Sequence, residues 1–414
     1  MVRRKTSGIT KAAAVAIVVI IIVAAVAGAA YFFILGGPGG GGTIKVGVLE
    51  NLTGGMASID APALNGIKLK AKEINEAGGL LGRQVEIIAI DTKTDQAEAA
   101  AAAKRLVEQG VVAIIGYGDT TFVLAAAPIA QEAGIPFITQ GATHPRLPEF
   151  VGDMMFLTPF GDNIQAAVMA EYAVKELGYK TVAIWVDYAM DFSVAVCSYF
   201  MEAWKHYTGD PNSVVLVDRF KTDDTDFSAQ IARLKALDPP PDAIFLGATP
   251  GNVGLMVKQI REAGITIPIL GQDGFDTPQL VEVAGEAAEG VLFVTHVSLE
   301  SDDPMVRKFV EAYTEEYGHP PENAFAALGY DAMTLLADAI QRAGSTDPQA
   351  IKKALEETRN LRVVTGTITY EAGSHVPSKS VAIIKVENGK FKTVKTMVPS
   401  FIPDPKKDRV ILEV

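Results

Sequence analysis

Cysteine is almost absent from this chain of 414 residues, where Cys197 stands alone. A single thiol forms no intrachain disulfide and no thiolate metal cluster. Its apolar neighbours predict a small buried hydrophobe rather than a reactive nucleophile. Histidine is scarce too. His144, His206, His296, His319 and His375 show neither HxH nor HxxxH spacing, so no two imidazoles are set to share a metal. Positive charge is in deficit: 37 Lys and Arg face 49 Asp and Glu, a formal net charge of -12, and no basic stripe lies past the N-terminus. A nucleic-acid partner is thereby excluded, because phosphate binding needs clustered cations. No GxSxG elbow occurs and no pair of carboxylates is singled out by spacing, so catalysis is not expected. Gly116-Tyr117-Gly118-Asp119-Thr120-Thr121 follows a strand as a dinucleotide loop does, but the third glycine is missing, and no cofactor is expected.

What is present begins with a membrane signal. Arg3, Arg4, Lys5 and Lys11 precede an uncharged apolar stretch over residues 12–35, whose 24 residues as a helix reach across a bilayer core. Residues 1–35 are expected to be an uncleaved anchor, with a cleaved secretory signal as the alternative. No lipobox cysteine follows to carry a lipid. With the positive cluster held inside, the rest of the chain is expected outside the cytoplasm, at the cell membrane. Residues 36–42, glycines around Pro38, read as a flexible tether.

The body is too long for one ordinary core and predicts two lobes. Short β-branched runs alternate with amphipathic segments, the pattern of βαβ units and parallel sheets. IKVGVLE (44–50), VEIIAID (85–91), VVAIIG (111–116) and PFIT (136–139) give one sheet. TVAIWVD (181–187), SVVLVDRF (213–220), DAIFLGA (242–248) and PILGQD (268–273) give another. Helical stretches over 309–317 and 324–343 are too few for a third core and are expected to pack back on an earlier lobe. One echo links the sheets. Glu132-Ala133-Gly134-Ile135, a strand and Thr139-Gln140-Gly141 match Glu262-Ala263-Gly264-Ile265, a strand and Gly271-Gln272-Asp273. Ligands of open α/β sheets sit outside the carboxyl ends of the strands, so these loops are candidates for facing walls of a cleft. A common glycine helix stop is the plainer explanation.

The run LTGGMASIDAPALNGIKLKAKEINEAGGLLGRQVEIIAID, with DQAEAAAAAKRLVEQGVVAIIG, GIPFITQGATHPRL, DTDFSAQIARLKALDPPPDAIFLGATP, IPILGQDGF and AAEGVLFVT, closely resembles the type I periplasmic binding proteins. The resemblance is to the leucine/isoleucine/valine-binding branch, which serves ABC importers, and it reaches TGTITYEAGS near the C-terminus. It implies an α/β flytrap of two doubly wound Rossmann-like lobes joined by three crossover strands, here preceded by a transmembrane helix. One lobe would hold residues 43–161 and 295–371, the other 162–294 and 372–400, with a C-terminal tail at 401–414. The implied function is delivery of a branched-chain or other amino acid, or a related small polar compound, to an ABC permease and its ATPase. A sensor ectodomain working through a partner receptor is the nearest alternative, and an enzyme on amino-acid-like substrates a more distant one.

The resemblance places a ligand carboxylate on Thr120, Gly141 and Thr143, with Thr121 beside them. Hydroxyls at a strand-to-helix turn suit such a group, although N-capping alone would also explain Thr120. Asp273 falls where the family sets an acid against the ligand's ammonium. Departures from the family pattern concern the side-chain half: Met190 stands in for a ring, Thr249 for a tyrosine, and Ile59 for a large apolar residue. Tyr188 is a candidate for a shifted ring, and Asp119 adds a carboxylate beside the presumed carboxylate site.

Overall fold

The computed structural model describes residues 42–414. The expected anchor and the tether up to residue 41 lie outside them. Among the described residues, no helix is long and apolar enough to cross a membrane.

The first half alternates β1 (Ile44–Glu50), α1 (Ala57–Glu76), β2 (Val85–Asp91), α2 (Gln96–Glu108), β3 (Ala113–Gly116), α3 (Thr120–Glu132), β4 (Phe137–Thr139), α4 (Leu147–Val151) and β5 (Met155–Leu157). Its strands pair in the order β2-β1-β3-β4-β5, all parallel. Val46 and Val48 of β1 face one apolar cluster and Leu49 the other, so the central strand is covered on both sides. That double cover is why β1 and β3 read as near-continuous apolar runs rather than alternating ones.

The chain then builds α5 (Asp162–Glu171), β6 (Val182–Asp187), α6 (Asp191–Thr208), β7 (Val214–Phe220), α7 (Ser228–Lys235), β8 (Ala243–Gly247), α8 (Pro250–Glu262), β9 (Ile269–Leu270), α9 (Pro278–Ala284) and β10 (Leu292–Thr295). It returns to the first sheet with α10 (Pro304–Tyr317), α11 (Ala324–Ala343), α12 (Pro348–Glu356) and the hairpin β11 (Leu361–Val363) and β12 (Gly366–Ile368). It ends on β13 (Val381–Glu387) and β14 (Lys390–Met397), which complete a second sheet ordered β14-β13-β10-β9-β8-β6-β7. The two last strands are antiparallel. The polypeptide therefore passes between the sheets three times: after β5, after β10 and before β13.

Two details differ from the expectation. β9 stops at Leu270, because Gln272 bends the chain by accepting the Gly274 amide with its side chain. The three-residue β5 is an unforeseen edge strand of the first sheet. Beyond Ser400 the chain packs on α6: Tyr199 donates to the Pro405 carbonyl at 2.6 Å, and Ile411 is fully buried. Asp408 there accepts from Arg146 of the first half at 2.9 Å.

The closest helix crossing is reciprocal. A Cβ on Gly66 of α1 would stand 1.9 Å from the Ala326 carbonyl oxygen, and one on Gly329 of α11 would stand 2.0 Å from that of Ala63. Both obstacles are backbone, so a methyl there must part the helices. Gly66→Ala and Gly329→Ala are each expected to cost roughly 1–3 kcal/mol of stability, read as a lower denaturant midpoint at unchanged slope.

Candidate functional site

The repeated loops occupy equivalent places. Gly134 and Gly264 both take left-handed φ, at 68° and 78°, and the isoleucine after each closes the helix by bonding five residues back. A short strand follows in each case, and at its carboxyl end stand Gln140-Gly141 in one half and Gln272-Asp273 in the other.

In the first half, β3 gives way to Tyr117, held at φ 66°, and then to Gly118 and Asp119. Asp119, not Thr120, caps α3: its Oδ1 accepts the Thr121 amide at 2.7 Å. This frees the Thr120 hydroxyl from the capping role. Its Oγ1 is buried without a hydrogen-bond partner, and so is that of Thr143. Buried hydroxyls normally have partners, so two orphans on neighbouring loops mark a polar surface made for something else. Gly141 is required by contact, since a Cβ would lie 2.8 Å from the Phe325 ring and 3.0 Å from the Gly118 Cα.

Contacts with the second half close over this surface. The Thr121 hydroxyl accepts the Asp191 amide at 3.2 Å and lies 3.9 Å from the Met190 sulfur. Met190 shares an apolar cluster with Ile59, Phe122 and Phe325. Nearby, Ser58 and Thr277 join by their hydroxyls at 2.8 Å. Thr249 is buried, but its hydroxyl is occupied by Asn252 of its own helix at 3.1 Å. Tyr188 stands apart, 45% exposed, with the Lys221 ammonium 5.7 Å above its ring.

Asp273 is not free. Gln165 donates to its Oδ1 at 3.0 Å, and His296 Nε2 meets its Oδ2 at 2.9 Å. The same Gln165 amide donates to Oδ1 of Asp162 at 2.9 Å, leaving Asp162 Oδ2 buried and unpartnered. The Asp162 amide in turn donates to the Thr143 carbonyl at 2.7 Å, which joins this network to the first-half loop. Asp162, Gln165 and His296 were missed in the sequence. The available signal was position: Asp162 opens the segment after the first crossing, and His296 directly follows β10 at the second.

The wall is acidic. Burial pushes Asp119 up to about 7, with Asp60 and Asp191 adding to the rise. Asp60 also rises to about 7 by burial, although it accepts amides from Asn51 and Gly118. Burial and the nearby Asp273 hold Asp162 well above the ordinary carboxylate range. Burial and Asp60 do the same to Glu50. An acid that titrates near 3.8 when unfolded and near 7 when folded keeps its proton longer in the native state. Stability must then fall as pH rises through that interval. The unfolding midpoint of the protein is expected to drop between about pH 4 and pH 7, and Asp119→Asn, whose amide oxygen still caps Thr121, to flatten the drop in a melting series across that range.

Comparison with known proteins agrees with the geometry. The sequence profile described as periplasmic binding protein matches residues 43–390. A leucine binding protein from Thermotoga maritima is 35% identical, superposes with a TM-score of 0.79, and aligns over 86% of this chain and 99% of its own. The branched-chain amino acid transporter substrate binding protein of Streptococcus pneumoniae, solved with isoleucine, is 30% identical, with a TM-score of 0.79 and coverage of 86% and 100%. A solute binding protein of an ABC transporter from Rhodopseudomonas palustris, solved with 3,4-dihydroxybenzoic acid, is 26% identical, with a TM-score of 0.76 and coverage of 88% and 99%. With two α/β halves, three crossings and a polar wall between them, the chain belongs to the periplasmic binding protein family, in its type I, leucine/isoleucine/valine-binding-like class.

Proposed function

We propose that this protein captures a small carboxylate-bearing solute outside the cytoplasm, a branched-chain or other amino acid or a close relative, and delivers it to an ABC permease with its ATPase. The observation that carries this reading is the pair of buried, unpartnered hydroxyls of Thr120 and Thr143 where the two halves meet. Thr121 in this reading serves closure through Asp191 and Met190. Ile59 and Met190 line the side-chain half, Gly141 lets the wall come close, and Thr249 and Tyr188 contribute at its margin. Asp162 and the Asp273–His296 pair form the end facing an ammonium. The ligand bridges both walls only when they are together, and that differential affinity shifts the population toward the closed form. Residues 12–35 would hold the binder at the membrane beside its permease, raising the effective concentration there.

A second reading has one observation in its favour. Both Asp273 oxygens already have protein partners, which suits a carboxylate without an ammonium, such as an aromatic acid.

Melting curves of the protein with L-leucine, L-isoleucine, L-valine, benzoate and 3,4-dihydroxybenzoate separate the readings. At free ligand about 100-fold above Kd, the bound protein gains about 2.7 kcal/mol, well within reach of the assay. Stabilisation by an amino acid and not by the benzoates is expected, and the reverse pattern selects the aromatic reading. Thr120→Val should leave the ligand-free midpoint nearly unchanged, because its hydroxyl has no protein partner, while weakening the ligand by about tenfold. A Thr120→Val protein that still shows the full ligand-induced shift removes the hydroxyl from the site.

A further inference from the structure

His296 is the least expected member of the site. Its ring is 3% exposed, lies against Phe160 at 4.3 Å between centroids in a stacked arrangement, and meets the edge of Phe325 at 5.7 Å. Phe325 is the same ring that forbids a side chain at Gly141, so the imidazole lies one aromatic ring away from the ligand-side loop. Nε2 faces the Asp273 carboxylate at 2.9 Å. A carboxylate oxygen accepts only, so Nε2 supplies the hydrogen, and in the neutral imidazole Nδ1 is then a lone-pair acceptor. Nδ1 is buried and has no partner. The network Asp162–Gln165–Asp273–His296 thus ends in two buried polar atoms without a partner, Asp162 Oδ2 and His296 Nδ1.

We propose that His296 is a specificity-determining ligand contact, whose Nδ1 accepts one N–H of the solute's amino group while Asp273 only fixes the ring's tautomer and direction. Nothing in the family resemblance or in the acidic residues alone assigns this role. The inference rests on the amino-acid reading of the cleft, and it narrows that reading. The site calls for a primary ammonium with at least two N–H groups to share between an imidazole and a carboxyl. N,N-dialkylated and des-amino analogues are disfavoured, because each leaves a buried polar atom of this end unpaired.

The two amide replacements for histidine separate a ligand contact from a structural one. In His296→Gln the side-chain amide reaches the place of Nε2 and keeps a donor for Asp273, but the acceptor at Nδ1 is gone. In His296→Asn an oxygen stands near Nδ1, but the donor to Asp273 is lost. Calorimetry on the full-length protein in detergent, with the twenty common L-amino acids as probes, first identifies a binder. The N,N-dimethyl and des-amino analogues of that binder follow. The expected result is a His296→Gln protein that melts closer to the wild type than His296→Asn does, yet binds the amino acid about tenfold or more weakly, with the wild-type preference over the des-amino analogue much reduced. His296→Asn is expected to melt lower and to keep more of the preference. If His296→Gln binds within twofold of the wild type, the ring is structural and the proposal fails while the amino-acid reading stands. If no amino acid binds the wild type, both fall together.

Discussion

The contact on which the first half depends is the crossing of α1 and α11. The parallel sheet around β1 cannot bury its face with the local helices alone. Ala332, Leu335, Leu336, Ala339 and Ile340 of α11 fill the same cluster as Ile44, Val46 and Val48. Those segments are separated by most of the chain, so the first core is completed only by residues that follow β6 to β10 of the second sheet. Gly66 and Gly329 let the helices approach to backbone contact, and the three crossings follow from this order of assembly. The crossings then become a natural place for a site, because there residues of both halves lie within hydrogen-bond reach on a rigid frame.

Electrostatics at the cleft run against stability. Glu50, Asp60, Asp119 and Asp162 are buried acids whose proton affinity is raised by burial. A fold selected for rigidity alone would replace several of them with apolar residues of similar volume. Their presence is what a recognition surface looks like: groups whose cost falls when a complementary donor or cation arrives. Cys197 illustrates the opposite case. It is buried beneath β6 and β8 in an apolar cluster, its thiol pushed up by burial, and it serves packing alone.

Much of this architecture was legible because the signals were local. β1 and β2 begin and end where their β-branched runs do, and α11 runs over the residues 324–343 that its apolar spacing indicated. Capping by Thr120, the alternative to a ligand contact there, is ruled out only by geometry, because Asp119 and Thr120 are both good caps. The polar network was not legible at all. Gln165 and Asp273 are far apart in sequence, and neither Asp162 nor His296 carries a motif, so their meeting depends on where two crossings bring the chain. The segment 401–414 is expected to be a tail, yet Ile411 sits in the second core.

Gly55 and Gly251 face each other from opposite halves, and a Cβ on Gly251 would reach 3.2 Å from the Gly55 Cα. Two bare backbones in contact act as a mechanical stop. Because neither carries a side chain, the two halves meet here at backbone distance. A side chain at residue 251 would have to push the two backbones apart at this point. The gape of this trap is therefore written at its rim as much as in its lining.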